Sequence, residues 1–241
     1  MISNCGHDEN GKYTGGKAGD QTGSEWSIIP WYDRPWNVVL RHPGGQVREL
    51  IAQLARECAE NDHIGYDQSE RYSFWQKLKA ANYDPTKITE DCETDCSNGV
   101  ACIVKAAGHF LNDEKLQNVS IYSYTGTLRR NLIAAGFEAL TDSKYLKSDE
   151  YLYAGDILLY EGHHTAINLT NGSKCAKTYP TGWNKASNGK WWYCTGNTAE
   201  EYLCNCIKEI DGKPYAFDKD GWLMYAGNFS TDSDGAINNL I

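Results

Sequence analysis

Hydrophobic residues recur every three or four positions in four stretches of the 241-residue chain, and this spacing places them on one face of a helix. We therefore predict helices over 47–61, 69–81, 96–111 and 125–136. Asp67 or Ser69 can cap the second helix, and Gly136 stops the fourth. The buried face of the third helix is predicted to comprise Val100, Ile103, Val104, Ala107, Phe110 and Leu111.

Two short apolar runs later in the chain predict strands. Residues 157–160 and 165–169 flank a turn at Glu161 and Gly162, so we expect two adjacent strands. Side chains alternate along a strand, which points His164 to one face and His163 to the other. Only one of the two histidines can therefore face helix 96–111.

The first forty residues have two contrasting parts. Residues 6–24 are rich in glycine and polar side chains and predict a long loop, which is commonly functional or disordered. Residues 25–42 are aromatic and β-branched and predict a strand pair interrupted by Pro30 and Pro35. With helices followed by strands, the order of elements favours an α+β domain in which helices pack on an antiparallel sheet.

The composition changes near residue 180. Residues 182–194 and 206–222 align at an offset of 23 positions, so that the Asn188-Gly189 dipeptide matches Asp211-Gly212. Such turns between aromatic runs indicate tandem β-hairpins, each too small to bury its own apolar face. We therefore expect two domains, 1–179 and 180–241, the second being a small β-hairpin repeat module.

Charge and composition argue against several classes of protein. A net charge of −9 and a pI near 5.1 make a nucleic-acid partner improbable. No apolar run is long enough for membrane insertion, and the first residues lack the pattern of a signal peptide, so we expect synthesis in the cytoplasm. Nine cysteines in a chain without an export signal favour reduced thiols, and their spacing is not that of a zinc site. We expect no metal and no cofactor; the oligomeric state is left open.

Cys96 opens the predicted helix 96–111. Unpaired N–H groups and the positive end of the helix dipole favour a thiolate there, so we expect a lowered pKa and a nucleophilic cysteine. The alternative is a small buried residue without chemistry. His164 on a nearby strand would complete a papain-like arrangement, in which imidazole takes the thiol proton and returns it to the leaving amine.

Two motifs carry a resemblance to a known family. DCSNGV, at 95–100, resembles the cysteine motif of NlpC-type cell-wall cysteine peptidases, and GDILLYEGHHTAI, at 155–167, is similar to their histidine motif, in particular that of the bacteriophage peptidoglycan amidase branch. The resemblance implies a papain-like fold, with Cys96 as nucleophile and His164 as base. His163 then occupies the usual glycine position. Tyr66 resembles a tyrosine that lines the oxyanion pocket in that family, although a core tyrosine is the alternative; we assign Asp95, Ser97 and His163 to the same oxyanion or substrate pocket.

The family also has a third polar residue on the strand after the histidine strand, but that position holds Ala176 here. The N-terminal MISNCG resembles a histidine-containing segment of the phage amidases, with Asn4 at the histidine position. We therefore infer a circular permutation in which Asn4 hydrogen-bonds to His164. His7 and Asp8 are competing candidates, and a frayed terminus with a chance match is the alternative.

The C-terminal hairpins resemble the choline-binding-like cell-wall-binding repeats of Gram-positive lysins. The resemblance implies a wall polymer ligand held by stacked aromatic rings; the alternative is that these rings form the core of the hairpins. The candidate binding residues are Trp183, Trp191, Trp192, Tyr215 and Trp222.

These observations predict a peptidoglycan hydrolase of endolysin type, an N-acetylmuramoyl-L-alanine amidase or a stem-peptide endopeptidase, that acts on the cell wall after release. A catalytically inactive wall-binding protein is one alternative. An intracellular permuted cysteine hydrolase or acyltransferase is another, against which the hairpin repeats argue.

Overall fold

The computed structural model describes residues 1–175, 179–186, 188–196, 201–225 and 229–240. The chain divides into two compact units, Met1–Cys175 and Ala176–Ile241. The helices of the first unit are α1 (Gly45–Ala59), α2 (Ser73–Ala80), α3 (Cys96–Leu111), α4 (Glu114–Gln117), α5 (Thr125–Ala134) and α6 (Ser143–Leu146), with a 3-10 turn at Pro85–Lys87. Its strands are β1 (Ile2–Cys5), β2 (Trp26–Ile29), β3 (Val38–Arg41), β4 (Ile64–Tyr66), β5 (Cys92–Thr94), β6 (Glu138–Leu140), β7 (Ile157–Tyr160) and β8 (His164–Asn168).

Six of these strands form one antiparallel sheet in the order β2-β1-β8-β7-β3-β6, while β4 and β5 form a separate parallel pair. The predicted α+β class is confirmed. The N-terminal strand β1 lies inside the sheet, with β2 on one side and β8 on the other. The first and last strands of the unit are therefore neighbours.

Alternating side chains give the sheet two buried faces. One face, with Cys5, Leu159 and Ile167, packs with the buried sides of α1, α3 and α5 in the main core. The opposite face, with Ile2 and Ala166, belongs to a smaller cluster that is completed by loop residues such as Trp36 and Leu152. Alternation places Asn4 and His164 on this second face.

Several predicted elements differ in detail. Residues 25–42 supply two strands, but β2 and β3 are not partners: β2 pairs with β1 and β3 with β6 and β7, so the predicted strand pair is wrong. The second helix begins at Ser73 after Tyr72, since Asp67 instead binds the N–H and hydroxyl of Ser69 in the preceding turn. Phe110 is 51% exposed and does not belong to the buried face of α3.

The second unit is built from three two-stranded hairpins. They are β9 (Gly182–Lys185) with β10 (Trp191–Cys194), β11 (Cys206–Ile210) with β12 (Lys213–Phe217), and β13 (Phe229–Thr231) with β14 (Ile237–Leu240). Asp211 and Gly212 both have positive φ, at 50° and 78°, as a tight hairpin turn requires. Within the described ranges, no helix of either unit is long and apolar enough to cross a membrane.

Candidate active site

The start of α3 is fixed by Asp95, which caps the helix. Its carboxylate accepts hydrogen bonds from the Asn98 N–H at 2.7 Å and from the Ser97 hydroxyl at 2.8 Å, and it forms an ion pair with Arg71. A Cβ at Gly99 would lie 3.0 Å from the Trp26 ring, so the glycine permits close packing of this turn on β2. Cys96 is thereby held as the first helical residue, as the sequence predicts.

The thiol of Cys96 lies where β1 and β8 separate. The ladder between these strands includes Ile2 with Asn168 and Ser3 with Ile167 and ends there, although continuation of the register would pair Cys5 with Thr165. Alternate N–H groups of β8 point toward β1, and the Thr165 N–H interacts with the Cys96 thiol instead of a strand partner. The gap in the sheet thus places the thiol beside the residue that follows His164.

Asn4 and His164 are in direct contact across the same gap. His164 Nε2 and Asn4 Oδ1 are 2.8 Å apart, and the amide oxygen can only accept, so Nε2 carries the proton. The lone pair is then on Nδ1. No hydrogen bond joins the described His164 ring to the Cys96 thiol, whose hydrogen-bond partners are the backbone N–H groups of Thr165 and Ser97.

Burial keeps the Cys96 thiol and the His164 imidazole neutral near pH 7. It raises the pKa of the Cys96 thiol to about 12, with a further increase from the Asp95 carboxylate, while the N–H groups of Thr165 and Ser97 oppose the change. Burial also lowers the pKa of His164 to about 4. The expectation of a lowered cysteine pKa is therefore wrong, because desolvation of the thiolate outweighs the helix terminus.

The other residues predicted to line the oxyanion or substrate pocket differ in burial and in their hydrogen-bond partners. Tyr66 is buried close to Cys96 and Cys5, and its hydroxyl accepts a hydrogen bond from Gln68 at 2.9 Å. The Ser97 hydroxyl is engaged by Asp95, which leaves the Ser97 backbone N–H as the group that faces the thiol. His163 is exposed, and its ring stacks on the Tyr160 ring with the two centroids 4.1 Å apart.

The competing candidates for the third catalytic residue contact other groups of the N-terminal loop. His7 is exposed, and its Nδ1 lies 2.8 Å from the Asp8 carbonyl oxygen. Asp8 is buried, and its Oδ1 accepts hydrogen bonds from the N–H groups of Asn10 and Lys12. Ala176 lies outside the described residues. Of the three candidates, Asn4 is the one that contacts His164.

The sequence reading missed two residues on the loop between β2 and β3. The Trp36 ring lies 6.1 Å from the His164 ring, centroid to centroid. Arg34 is half-buried and acts on both reactive groups: after burial, its positive charge is the second influence that lowers the pKa of His164, and it also opposes the raised pKa of Cys96. No local motif marks either residue, since only the fold brings this loop to the site.

A buried carboxyl lies on β5, a short distance before Cys96 in the chain. Glu93 is 3% exposed, its carboxyl oxygens lack a hydrogen-bond partner of good geometry among the described residues, and the nearby Gly19 N–H only partly offsets their desolvation. Burial, followed by the nearby carboxylates of Glu25 and Asp67, raises the pKa of Glu93 to about 8. Glu93 is therefore largely protonated at neutral pH.

The second unit contains an aromatic pocket of about 450 Å³. Three of the five predicted wall-binding residues line it, together with four that the offset alignment did not reveal: Trp183, Trp191, Tyr215, Leu223, Tyr225, Ser233 and Asp234. The remaining two lie elsewhere in this unit. Trp192 is buried against Tyr179, and the Trp222 ring is covered by Lys190.

Among the described residues, no group of three or more His, Cys, Asp or Glu side chains is arranged to hold a metal ion. A family model described as an endolysin-like domain matches residues 2–175 of the chain. No curated protein and no solved structure shows significant similarity to it. The matched residues almost coincide with the first compact unit and include Asn4, Cys96 and His164.

Proposed function

The chain belongs to the endolysin-like domain family, and we propose from this premise that it hydrolyses an amide bond of peptidoglycan by a cysteine-dependent mechanism. Membership of this family makes it an enzyme of the cell-wall hydrolase type. The proposed bond is either the N-acetylmuramoyl-L-alanine amide or an amide within the stem peptide. The observation that supports a cysteine mechanism is the position of the Cys96 thiol at the strand gap that also holds the His164–Asn4 pair.

In the proposed reaction the thiol and imidazole begin neutral. The Cys96 sulfur attacks the amide carbon while its proton passes to His164 Nδ1, so that thiolate character develops only as the new bond forms. Asn4 accepts the Nε2–H hydrogen bond and stabilises the imidazolium that results. The helix N-terminus then stabilises the oxyanion through the Cys96 N–H, with Tyr66 as the neighbouring donor.

The second half of the reaction reverses the proton transfer. The imidazolium gives its proton to the leaving amine as the tetrahedral intermediate collapses, which leaves an acyl group on Cys96. Water, deprotonated by His164, attacks the thioester; the C–S bond breaks, the acid is released, and the imidazolium returns its proton to the Cys96 sulfur. The position of β1 beside β8 supports the circular permutation, because the strand that carries the third residue precedes the rest of the unit in the chain.

The decisive test compares two cysteine variants on purified cell walls, with mass spectrometry of the soluble fragments. Wild-type protein and Cys204→Ala, which removes an exposed thiol, should release fragments with new amine termini. Cys96→Ala should release none and should keep its melting temperature within a few degrees. The mass of the fragments identifies the bond. A fully active Cys96→Ala protein would exclude the mechanism and favour the wall-binding alternative.

We propose further that the aromatic pocket of the second unit binds a wall polymer. The ring centroids of Trp183 and Tyr215 are 4.8 Å apart, and both residues line the pocket together with Asp234. Their ring surfaces could bind a sugar face or a cationic group. In a Cys96→Ala background, Trp183→Ala should reduce sedimentation with purified walls. Trp222→Ala is the matched control, because this ring does not line the pocket. Equal loss in both variants would argue against the assignment.

A further inference from the structure

We propose that Arg34 binds a carboxylate of the peptide substrate beside the scissile amide, which makes it a specificity residue of the active site. The proposal rests on the proposed function, since it concerns the substrate of the Cys96–His164 pair. The expected substrates are acidic peptides that carry a free carboxylate close to the amide bond that is cut.

The loop that carries Arg34 is anchored next to His164 by several contacts. The Trp36 indole N–H donates to the Tyr32 carbonyl oxygen at 3.2 Å, and the two rings of these residues are 5.8 Å apart. Asn37 connects the loop to the sheet through a 3.0 Å hydrogen bond from its N–H to the Leu159 carbonyl oxygen. A side chain on such a loop loses little additional freedom when it binds a ligand.

Within the described residues, the Arg34 guanidinium lacks an anionic partner. Among the residues that the structure describes, its one side-chain hydrogen bond runs to the Tyr32 hydroxyl at 3.1 Å. The neighbouring carboxylate of Asp33 lies 3.6 Å from Lys147 instead. By contrast, the partly buried Arg41 and Arg71 each form an ion pair with an aspartate. A guanidinium presents five donors in a planar fork that fits a carboxylate, so Arg34 has unused binding capacity two residues before Trp36, whose ring lies 6.1 Å from the His164 ring.

The chemistry of the proposed reaction also favours an anionic substrate. When the thiol proton moves to His164, a second positive charge forms near Arg34 in a buried location. A substrate carboxylate on the guanidinium would reduce the repulsion between these charges, whereas a neutral substrate would leave it in place. A carboxylate placed by Arg34 also orients the adjacent amide for attack.

The test uses a pair of synthetic stem peptides that differ only in a carboxylate or a carboxamide next to the scissile amide. Arg34→Gln should raise KM for the carboxylate peptide by about 10- to 100-fold with a smaller change in kcat. It should leave KM for the carboxamide peptide nearly unchanged. Arg34→Lys should restore part of the loss, because it keeps the charge but not the fork. Arg130→Gln removes an exposed charge elsewhere and should behave as wild type.

Binding of both peptides to the Cys96→Ala protein separates this proposal from the proposed function, because it needs no turnover. There, Arg34→Gln should weaken binding of the carboxylate peptide alone. Equal effects on both peptides would overturn the proposal, as would undetectable binding of the carboxylate peptide. A shift of the acidic limb of the pH profile without a change in KM would also overturn it, since Arg34 would then act only on the protonation of His164.

Discussion

Replacing Asn4 with alanine tests the contact that connects the N-terminal strand to the chemistry. The substitution removes the acceptor of the 2.8 Å hydrogen bond to His164 Nε2. In the resting enzyme this bond joins two neutral groups. In the transition state of the proposed mechanism the imidazole would be charged. Hydrogen bonds to charged groups contribute about 1.5–3 kcal/mol, which corresponds to a loss of roughly 10- to 150-fold in kcat.

Little change is expected in substrate affinity or stability. The Asn4 side chain is half-buried, so water can take its place in the ground state, at a cost of about 1 kcal/mol and a few degrees in melting temperature. Initial rates of fragment release as a function of substrate concentration give kcat and KM separately, and thermal unfolding gives the melting temperature. Asn4→His should recover part of the rate, because a histidine can accept the same hydrogen bond.

Asn10→Ala is the matched control, since this exposed asparagine lies in the loop that follows β1 and its side chain does not contact His164. A wild-type kcat for Asn4→Ala would refute the role of Asn4 while leaving Cys96 and His164 in place. An equal fall in kcat for both variants would assign the effect to a disturbed N-terminal segment. A point substitution is more informative than truncation, which would also remove the buried Ile2.

The remaining predictions concern the histidine pair, the thiol and the buried carboxyl. His164→Ala should lower kcat by several orders of magnitude, whereas His163→Ala should retain most of it; the reverse result in the fragment-release assay would contradict the assignment. Iodoacetamide alkylation of Cys96, followed by mass spectrometry, should accelerate about tenfold per pH unit from pH 7 to 10, because the pKa of about 12 keeps the thiol neutral; a plateau near neutral pH would indicate a thiolate–imidazolium pair. Folding raises the pKa of Glu93 from 4.5 to about 8, so the folded protein holds this proton more tightly than the unfolded chain does. The resulting contribution to the free energy of unfolding is complete below pH 4.5 and is lost as the pH rises toward 8. The advantage of Glu93→Gln over wild type in unfolding free energy should therefore grow by about 4 kcal/mol between pH 4.5 and 8, and a constant difference in urea unfolding would contradict this.

Local patterns predicted the elements that carry the candidate site. The spacing of apolar residues after Cys96 predicted helix α3, and two apolar runs around Gly162 predicted β7 and β8. These features depend on residues close together in the chain, where helix capping and side-chain alternation act.

Features that depend on distant residues could not be obtained in this way. The pairing of β2 with β1 rather than β3 is decided by contacts across the whole sheet, which alternation does not encode. The pKa of Cys96 depends on how deeply the fold buries the thiol, and this exceeds the effect of the helix start. Arg34 carries no motif, since its importance comes from the loop position that the sheet gives it. The contact between Asn4 and His164 was inferred from a resemblance rather than from any local pattern.

The interior position of β1 has a consequence for how the enzyme is made. Ile2 pairs with Asn168, so the loop that joins these partners contains nearly the whole first unit. Closing so long a loop carries a large entropic cost, and topologies dominated by distant pairings fold slowly. We therefore expect a nascent chain to pair β1 with β2 early but to leave the other side of β1 unpaired until β8 has left the ribosome. Helix α3 can form earlier, but the proposed nucleophile and base meet only at this last closure, so incomplete chains should be without hydrolytic activity.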